Sequence, residues 1–258
     1  MSELQLNAAQ NYKEFYGRNT EQMPKLIAEG RLPLSISGFM KRRLDALNSS
    51  DEVRSSYWDN YFDSGDGIAY HPDGRAKIVL DAQPLRDLTP SSKLRNGALV
   101  LPDGVYDGLE GIELSEVDLE RYAVGEQLKK KNVKDNPIWQ TLARDGKLLE
   151  DYVQNVFSQG KERFGYDLAM AVYRSSASDV PTMRSWCLSR LDGRAIAFGS
   201  GHLDGDFGRL VGVAPEAQQS VAQKISRPTL NQVLSVARKY TPKINQEALK
   251  GELGKLYK

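Results

Sequence analysis

One cysteine and two histidines in 258 residues remove several classes of chemistry at once. Cys187 has no partner for an internal disulfide, and a cysteine-cluster metal centre is excluded. His71 and His202 are far apart in the sequence, so neither HExxH nor paired Cys/His zinc spacing occurs. The GxxxxGK[ST] phosphate loop and the GxSxG nucleophile elbow are also missing. No apolar run approaches the roughly 20 residues that a membrane helix needs. The opening MSELQLNAAQNYKEF lacks the basic-then-apolar layout of a secretion signal. These absences predict a soluble cytoplasmic protein that does not engage membranes.

What is present suits an ordered fold. With 40% hydrophobic and 27% charged residues, the chain can bury a sizeable core as one large domain or two smaller ones. Net charge is only +1, but residues 218–258 carry eight Lys or Arg and two Glu, hence +6, which leaves −5 on the first 217 residues. A basic C-terminal segment on an acidic body suits an acidic partner, either a protein or nucleic acid. Lys224, Arg227, Arg238 and Lys239 are its candidate binding residues. Oligomerisation is compatible with the same layout.

Local patterns place the elements. Ser35 caps a helix whose Ile36, Phe39, Met40, Leu44 and Leu47 share a core-facing stripe, with Lys41 and Arg42 turned away. A second helical stretch follows over 51–62, and a hairpin joins 67–71 to 76–80 through Pro72-Asp73-Gly74-Arg75. Asp-Gly occurs seven times at irregular spacing, which is turn chemistry and not a repeat. Ser115 with Asp118 forms a capping-box variant. Asn136-Pro137 starts another helix, and the three lysines at 129–131 read as an exposed connector. Over 148–163, Leu149, Tyr152, Val153, Val156 and Phe157 give an apolar stripe wide enough to lie on the strands that follow.

The clearest hairpin pairs 183–191 with 194–199 across Asp192-Gly193, a preferred type I′ turn. That turn sets Leu188 opposite Ala197, Cys187 opposite Phe198 and Trp186 opposite Gly199. Strands over 166–174 and 208–214 flank the hairpin, and three helices follow over 216–225, 229–240 and 242–257. The predicted fold is α+β. An antiparallel sheet of about four strands in the C-terminal half packs with helices, preceded by a helical and hairpin-rich N-terminal half. The regions divide as 1–112 and 113–258, or run as one continuous domain.

Residues 199–208, GSGHLDGDFG, hold the densest cluster of reactive groups. His202, Asp204 and Asp206 offer imidazole and oxygen ligands suited to Mg²⁺ or Mn²⁺, and His202 alone could serve as a general base. Arg209 or Arg184 could then hold a substrate phosphate or carboxylate. Asp63, Asp66, Asp73 and His71 crowd the first hairpin, where turn chemistry accounts for the aspartates. Cys187, mid-strand, suits a core. With no complete catalytic set in the sequence, the leading expectation is a non-enzymatic binding or assembly protein that meets an acidic partner through its basic C-terminal segment. The alternative is a metal- or His-assisted hydrolase of a phosphate-containing substrate at the His202 loop.

Overall fold

A single strand, Phe62–Tyr70, is buried along all nine of its residues although it contains Asp63, Ser64 and Asp66. The fold is arranged around it. The computed structural model describes residues 4–6, 11–123, 125–126, 128–165, 170–192 and 195–214, all within one compact unit, Met1–Pro215. In chain order the elements are β1 (Tyr12–Tyr16), α1 (Asn19–Ala28), β2 (Leu32–Pro33), α2 (Ile36–Ala46), α3 (Asp51–Trp58), β3 (Phe62–Tyr70) and β4 (Ala76–Val79). Next come α4 (Gln83–Arg86), β5 (Leu94–Arg95), β6 (Ala98–Val100), α5 (Val105–Gly108), β7 (Ile112–Leu114), α6 (Glu116–Tyr122), α7 (Lys130–Lys134), α8 (Pro137–Ala143) and α9 (Gly146–Phe164). The described chain closes with β8 (Met170–Arg174), β9 (Thr182–Leu188), β10 (Ala195–Gly199) and β11 (Arg209–Val213).

The strands form one sheet of eleven, with a main path β1-β11-β3-β9-β10-β8. The expected four-stranded antiparallel sheet in the C-terminal half is therefore corrected on three points. Strands from both halves share the sheet. β8 runs parallel to β10, and β11 parallel to β3. β11 does not join the 182–199 hairpin at all, because residues 200–208 carry the chain away to a slot between β1 and β3. In the second hairpin two predicted pairs form, Ala197 opposite Leu188 and Phe198 opposite Cys187, and the first hairpin pairs antiparallel with Tyr70 opposite Ala76.

β3 pairs with β9 through a bulge, the register shifting between Asp63 and Gly67. Side chains repair the broken ladder there. Ser64 N–H donates to Ser185 Oγ at 3.1 Å, and Ser64 Oγ to the Trp186 carbonyl at 2.8 Å. Gly65 N–H donates to Leu34 O, and a Cβ at Gly65 would sit 2.9 Å from Pro33 Cγ. The bulge thereby turns Asp63 and Asp66 toward partners outside the strand.

Two sets of packing cover the sheet. Phe62 stacks on Phe39 of α2 at 4.8 Å. Ala69, Met183 and Leu210, by contrast, join a core cluster with Phe15, Met23, Leu85 and Leu203. The α9 stripe is buried as its spacing predicts, but its main packing is against α2, α7 and α8 and not on the strands that follow it. Trp58 stacks on Tyr152 at 6.2 Å across that interface. Residues 130–134, expected as part of a connector, form the short helix α7. The caps at Ser35, the Ser115–Asp118 box and Asn136 all form. The three expected C-terminal helices lie outside the described residues.

Within α2 the buried stripe is Ile36, Phe39, Met40, Arg43 and Ala46, so a guanidinium occupies a core position. Arg43 is fully buried. Its Nε donates to Tyr57 O at 2.9 Å, Nη1 to Tyr152 Oη at 2.9 Å, and Nη2 to Asn60 O at 3.0 Å and Ser189 O at 2.7 Å. One side chain thus ties α2, α3, α9 and the end of β9 together. Replacing Arg43 with Met should lower unfolding stability in urea by about 3 kcal/mol or more, since several buried acceptors lose their donor together. A loss below about 1 kcal/mol would show that the helices pack without it.

Candidate functional site

Residues 200–208 leave the end of β10, cross the sheet and enter β11, and the backbone of this loop is held at several points. Leu203, 1% exposed, inserts into the core cluster. Its N–H donates to Gly97 O at 2.8 Å, and its carbonyl accepts Thr20 N–H from the first turn of α1 at 3.2 Å. At the exit, Gly17 N–H donates to Gly208 O at 2.9 Å, and Tyr61 Oη donates to Phe207 O. Gly97 sits in left-handed backbone at φ +74, and a Cβ there would come within 2.5 Å of the His202 ring, so the β5–β6 turn approaches the loop as closely as glycine allows.

Arg184 holds the entry. It is buried on β9 and donates from Nη1 to Gly201 O at 2.9 Å and from Nη2 to Asn96 O at 2.6 Å. Burial keeps its guanidinium below the usual arginine range. Those donors are spent on the backbone, so Arg184 joins two turns where the sequence suggested a substrate anchor. Arg209 is also buried. Its Nε lies 2.7 Å from Glu14 Oε1, Nη1 donates to Asn60 Oδ1, and the guanidinium stacks between the rings of Tyr16 and Tyr61 at 5.1 and 5.5 Å.

The remaining groups point outward. His202 and Asp204 are 62% and 51% exposed, with Nδ1 and Oδ1 3.9 Å apart, beyond hydrogen-bond range. Asp206 is 71% exposed and accepts Arg18 Nε at 2.7 Å. Phe207 is 70% exposed, an apolar ring among charged neighbours. Among the described residues, no three His, Cys, Asp or Glu side chains converge as a metal site. The structure therefore separates the expected set: His202, Asp204 and Asp206 form an outward rim, joined by Phe207, whereas Arg184 and Arg209 are internal struts. Lys224, Arg227, Arg238 and Lys239 lie outside the described residues.

The acidic cluster of the first hairpin also disperses. Against its desolvation, Asp73 is held down at about 2 by the Arg75 backbone N–H, then by the Arg75 guanidinium and His71, each at 2.8 Å, and Asp66 binds Arg144. Asp63 is buried beneath the loop and accepts Arg209 N–H at 2.9 Å and the Asn19 amide. Burial raises its carboxyl to about 6. Cys187 is buried beside it, its thiol pushed well up by burial and by the nearby Asp63 charge, which suits packing and opposes nucleophilic chemistry. The sequence placed Asp63 only in the acidic cluster of the first hairpin, and it did not single out Phe207. The exposed Phe207 beside two aspartates in a turn-rich stretch was the one signal that could have marked the rim.

A concavity of about 350 Å³ lies at the start of α9, lined by Lys134, Gln140, Arg144, Asp145, Gly146, Leu149 and Glu150. Its charges are already paired, Lys134 with Glu150 at 2.6 Å and Arg144 with Asp81 at 2.7 Å. No helix among the described residues is long and apolar enough to cross a membrane.

No family model matches the chain, and no curated protein matches it. Among solved structures it is similar to a protein from work on the "accommodation of massive sequence variation in Nanoarchaeota by the C-type lectin fold". The two share 16% sequence identity at a TM-score of 0.60, over 81% of this chain and 100% of the other. The eleven-stranded mixed sheet with its helices is thus a C-type lectin-like fold.

The rim and its supports should respond differently to truncation. Leu203→Ala is expected to cost about 3 kcal/mol of stability, as large-to-small changes in cores do. Phe207→Ala should stay within about 0.5 kcal/mol. Equal losses in thermal or urea unfolding would contradict the division.

Proposed function

We propose that the chain is a soluble cytoplasmic binding protein whose recognition surface is the outward rim of residues 200–208, namely His202, Asp204, Asp206 and Phe207 with the adjoining Arg18. The observation that carries this reading is the division of labour within one loop. Its backbone and Leu203 are fixed by buried partners, while four consecutive or near-consecutive polar and aromatic side chains face solvent. A loop held in this way loses little conformational entropy when it binds, so the contacts its side chains make count fully toward affinity. An exposed aromatic ring bordered by charged groups is the composition of an interface anchor. The fold neighbour supports the same reading by analogy, since its described property is that the C-type lectin fold accommodates massive sequence variation. On this proposal, the rim positions can vary without disturbing the struts beneath them.

Hydrolysis at the His202 loop would require His202, Asp204, Asp206 and an arginine to face one cleft. Their described orientations favour binding over that reading. The +6 carried by residues 218–258 supports a separate contact with an acidic partner, protein or nucleic acid.

Native mass spectrometry of the full chain, purified at low salt without chelator, tests these readings together. Retained partner mass that disappears in the quadruple variant H202A/D204A/D206A/F207A, with an unchanged Tm, is the expected result. A bare wild-type chain, or mass kept by the variant, overturns the rim reading. Mass lost only on charge reversal at Lys224, Arg227, Arg238 and Lys239 would instead assign binding to the basic segment. A divalent-ion mass lost on His202→Ala would favour the hydrolase.

A further inference from the structure

Strand β7 ends the sheet beyond β4. Ile112–Leu114 pairs with Ala76–Ile78 and, among the described residues, with no other strand, so its outer edge keeps backbone groups that no ladder takes up. Apolar side chains lie open beside it: Ile112 is 50% exposed, and Val117, which follows in α6, is 70% exposed. The edge is also strongly charged. Residues 103–120 hold seven Asp or Glu and no Lys or Arg, hence −7. Elsewhere exposed carboxylates find partners within the chain, as Asp45 does with Arg42, Asp51 with Arg54 and Asp59 with Arg163. Glu113 has Arg75 at 3.1 Å, but among the described residues Asp103, Asp107, Glu110, Glu116 and Glu120 form no ion pair. The nearby cations are already committed. Lys77 Nζ donates to the carbonyls of Tyr106, Asp107 and Leu109 at 3.0, 3.2 and 3.3 Å, and Arg75 also holds Asp73 at 2.8 Å. Tyr106, with its ring 4.9 Å from Lys77 Nζ and 5.7 Å from the Arg75 guanidinium, is 2% exposed and its Oη has no hydrogen-bond partner. This corner of the sheet thus keeps unpaired charge, unpaired edge backbone and an unsatisfied buried hydroxyl together.

We propose that the β7 edge is a docking site for an extended basic segment of a partner protein, which adds to the sheet as one more strand. Main-chain hydrogen bonds to a free edge give affinity for any extended peptide, and the side chains that alternate along it give specificity. Residues directly opposite across two strands share a face, so the incoming strand sets an apolar residue against Ile112 and a Lys or Arg against Glu113. The −7 of residues 103–120 draws a cationic segment and speeds its encounter. The same charge sets aside two other occupants. A second copy docked edge to edge would bring this segment against its equal, with like charges opposed, and nucleic acid carries the wrong sign. Charge of one sign therefore closes the edge to like chains and leaves it open to a basic one. The site shares no residue with the rim of the 200–208 loop and does not rest on that reading.

Fluorescence anisotropy of the full chain with a labelled hexapeptide of alternating Lys and Val, capped at both ends, tests the edge. Saturable binding is expected, weakened about 10-fold or more in E110K/E116K and in Ile112→Lys. A peptide methylated at every backbone nitrogen keeps the side chains and the charge but no donors, and it should lose about as much. Bound parent peptide should also slow amide exchange within residues 112–114. Binding that fails to saturate below about 1 mM overturns the proposal. Equal affinity for the methylated peptide would mean attraction by charge alone, and protection gained at residues 200–208 in place of β7 would move the contact to the rim; either result overturns it too. An unliganded chain that sediments as a dimer and becomes monomeric in Ile112→Lys would give the edge to a second copy, with the same consequence. Glu110 and Glu116 are exposed and unpaired, so the double variant should keep its Tm. If a variant does not, the two peptides compared on the wild-type chain decide by themselves.

Discussion

The fold depends on how one buried strand disposes of its polar residues. β3 lies inside the sheet, where unsatisfied polar groups are costly, yet Asp63, Ser64 and Asp66 sit in it within four residues. The bulge resolves this by breaking the ladder with β9 and directing each group to a different part of the molecule. Ser64 restores bonds to β9. Asp66 accepts Ile36 N–H at the start of α2 at 2.8 Å, Asp81 N–H at 3.0 Å and Arg144 at the end of α8. Asp63 takes the start of β11 and α1. A strand that paired perfectly could not orient both the helical layer and the loop.

Asp66 and Asp63 illustrate two solutions to carboxylate burial. Asp66 has the Arg144 guanidinium, which is also paired with Asp81, and both Arg144, at the end of α8, and Asp81 stand in left-handed backbone, at φ 62 and 50. Such conformations persist where the surroundings over-determine them. Asp63 has only neutral donors. The ion-paired carboxylate joins the start of α2 to the end of α8, and Asp63 joins α1 to the start of β11.

The rim owes its form to burial elsewhere. Leu203 is the only residue between Ser200 and Gly208 that contributes a large apolar group to the core cluster, and its two backbone groups bond to separate elements. That single insertion and the Arg184 struts position the loop, while His202, Asp204 and Phe207 face outward and Asp206 pairs with Arg18. The histidine and aspartates that look catalytic as a string of letters are therefore divided by direction. Alternation and glycine turns set which residues are neighbours along the chain, but the choice of inside or outside depends on what lies across the loop.

Features decided by short-range chemistry were legible in the sequence. The two pairs Leu188–Ala197 and Cys187–Phe198 follow from turn geometry, the caps at Ser35, Ser115 and Asn136 from side chains that reach back to nearby N–H groups, and the buried α9 stripe from helical spacing. Only the tertiary structure decided the parallel pairing of β8 with β10, the insertion of β11 between β1 and β3, the helices that α9 meets and the burial of Arg43. The physical reason is separation. A turn or cap closes within a few residues, and its energetics are written in those residues. Parallel pairing, a guanidinium shared among carbonyls and a carboxylate beneath a distant loop arise from groups far apart in sequence, whose meeting depends on the packing of the whole sheet.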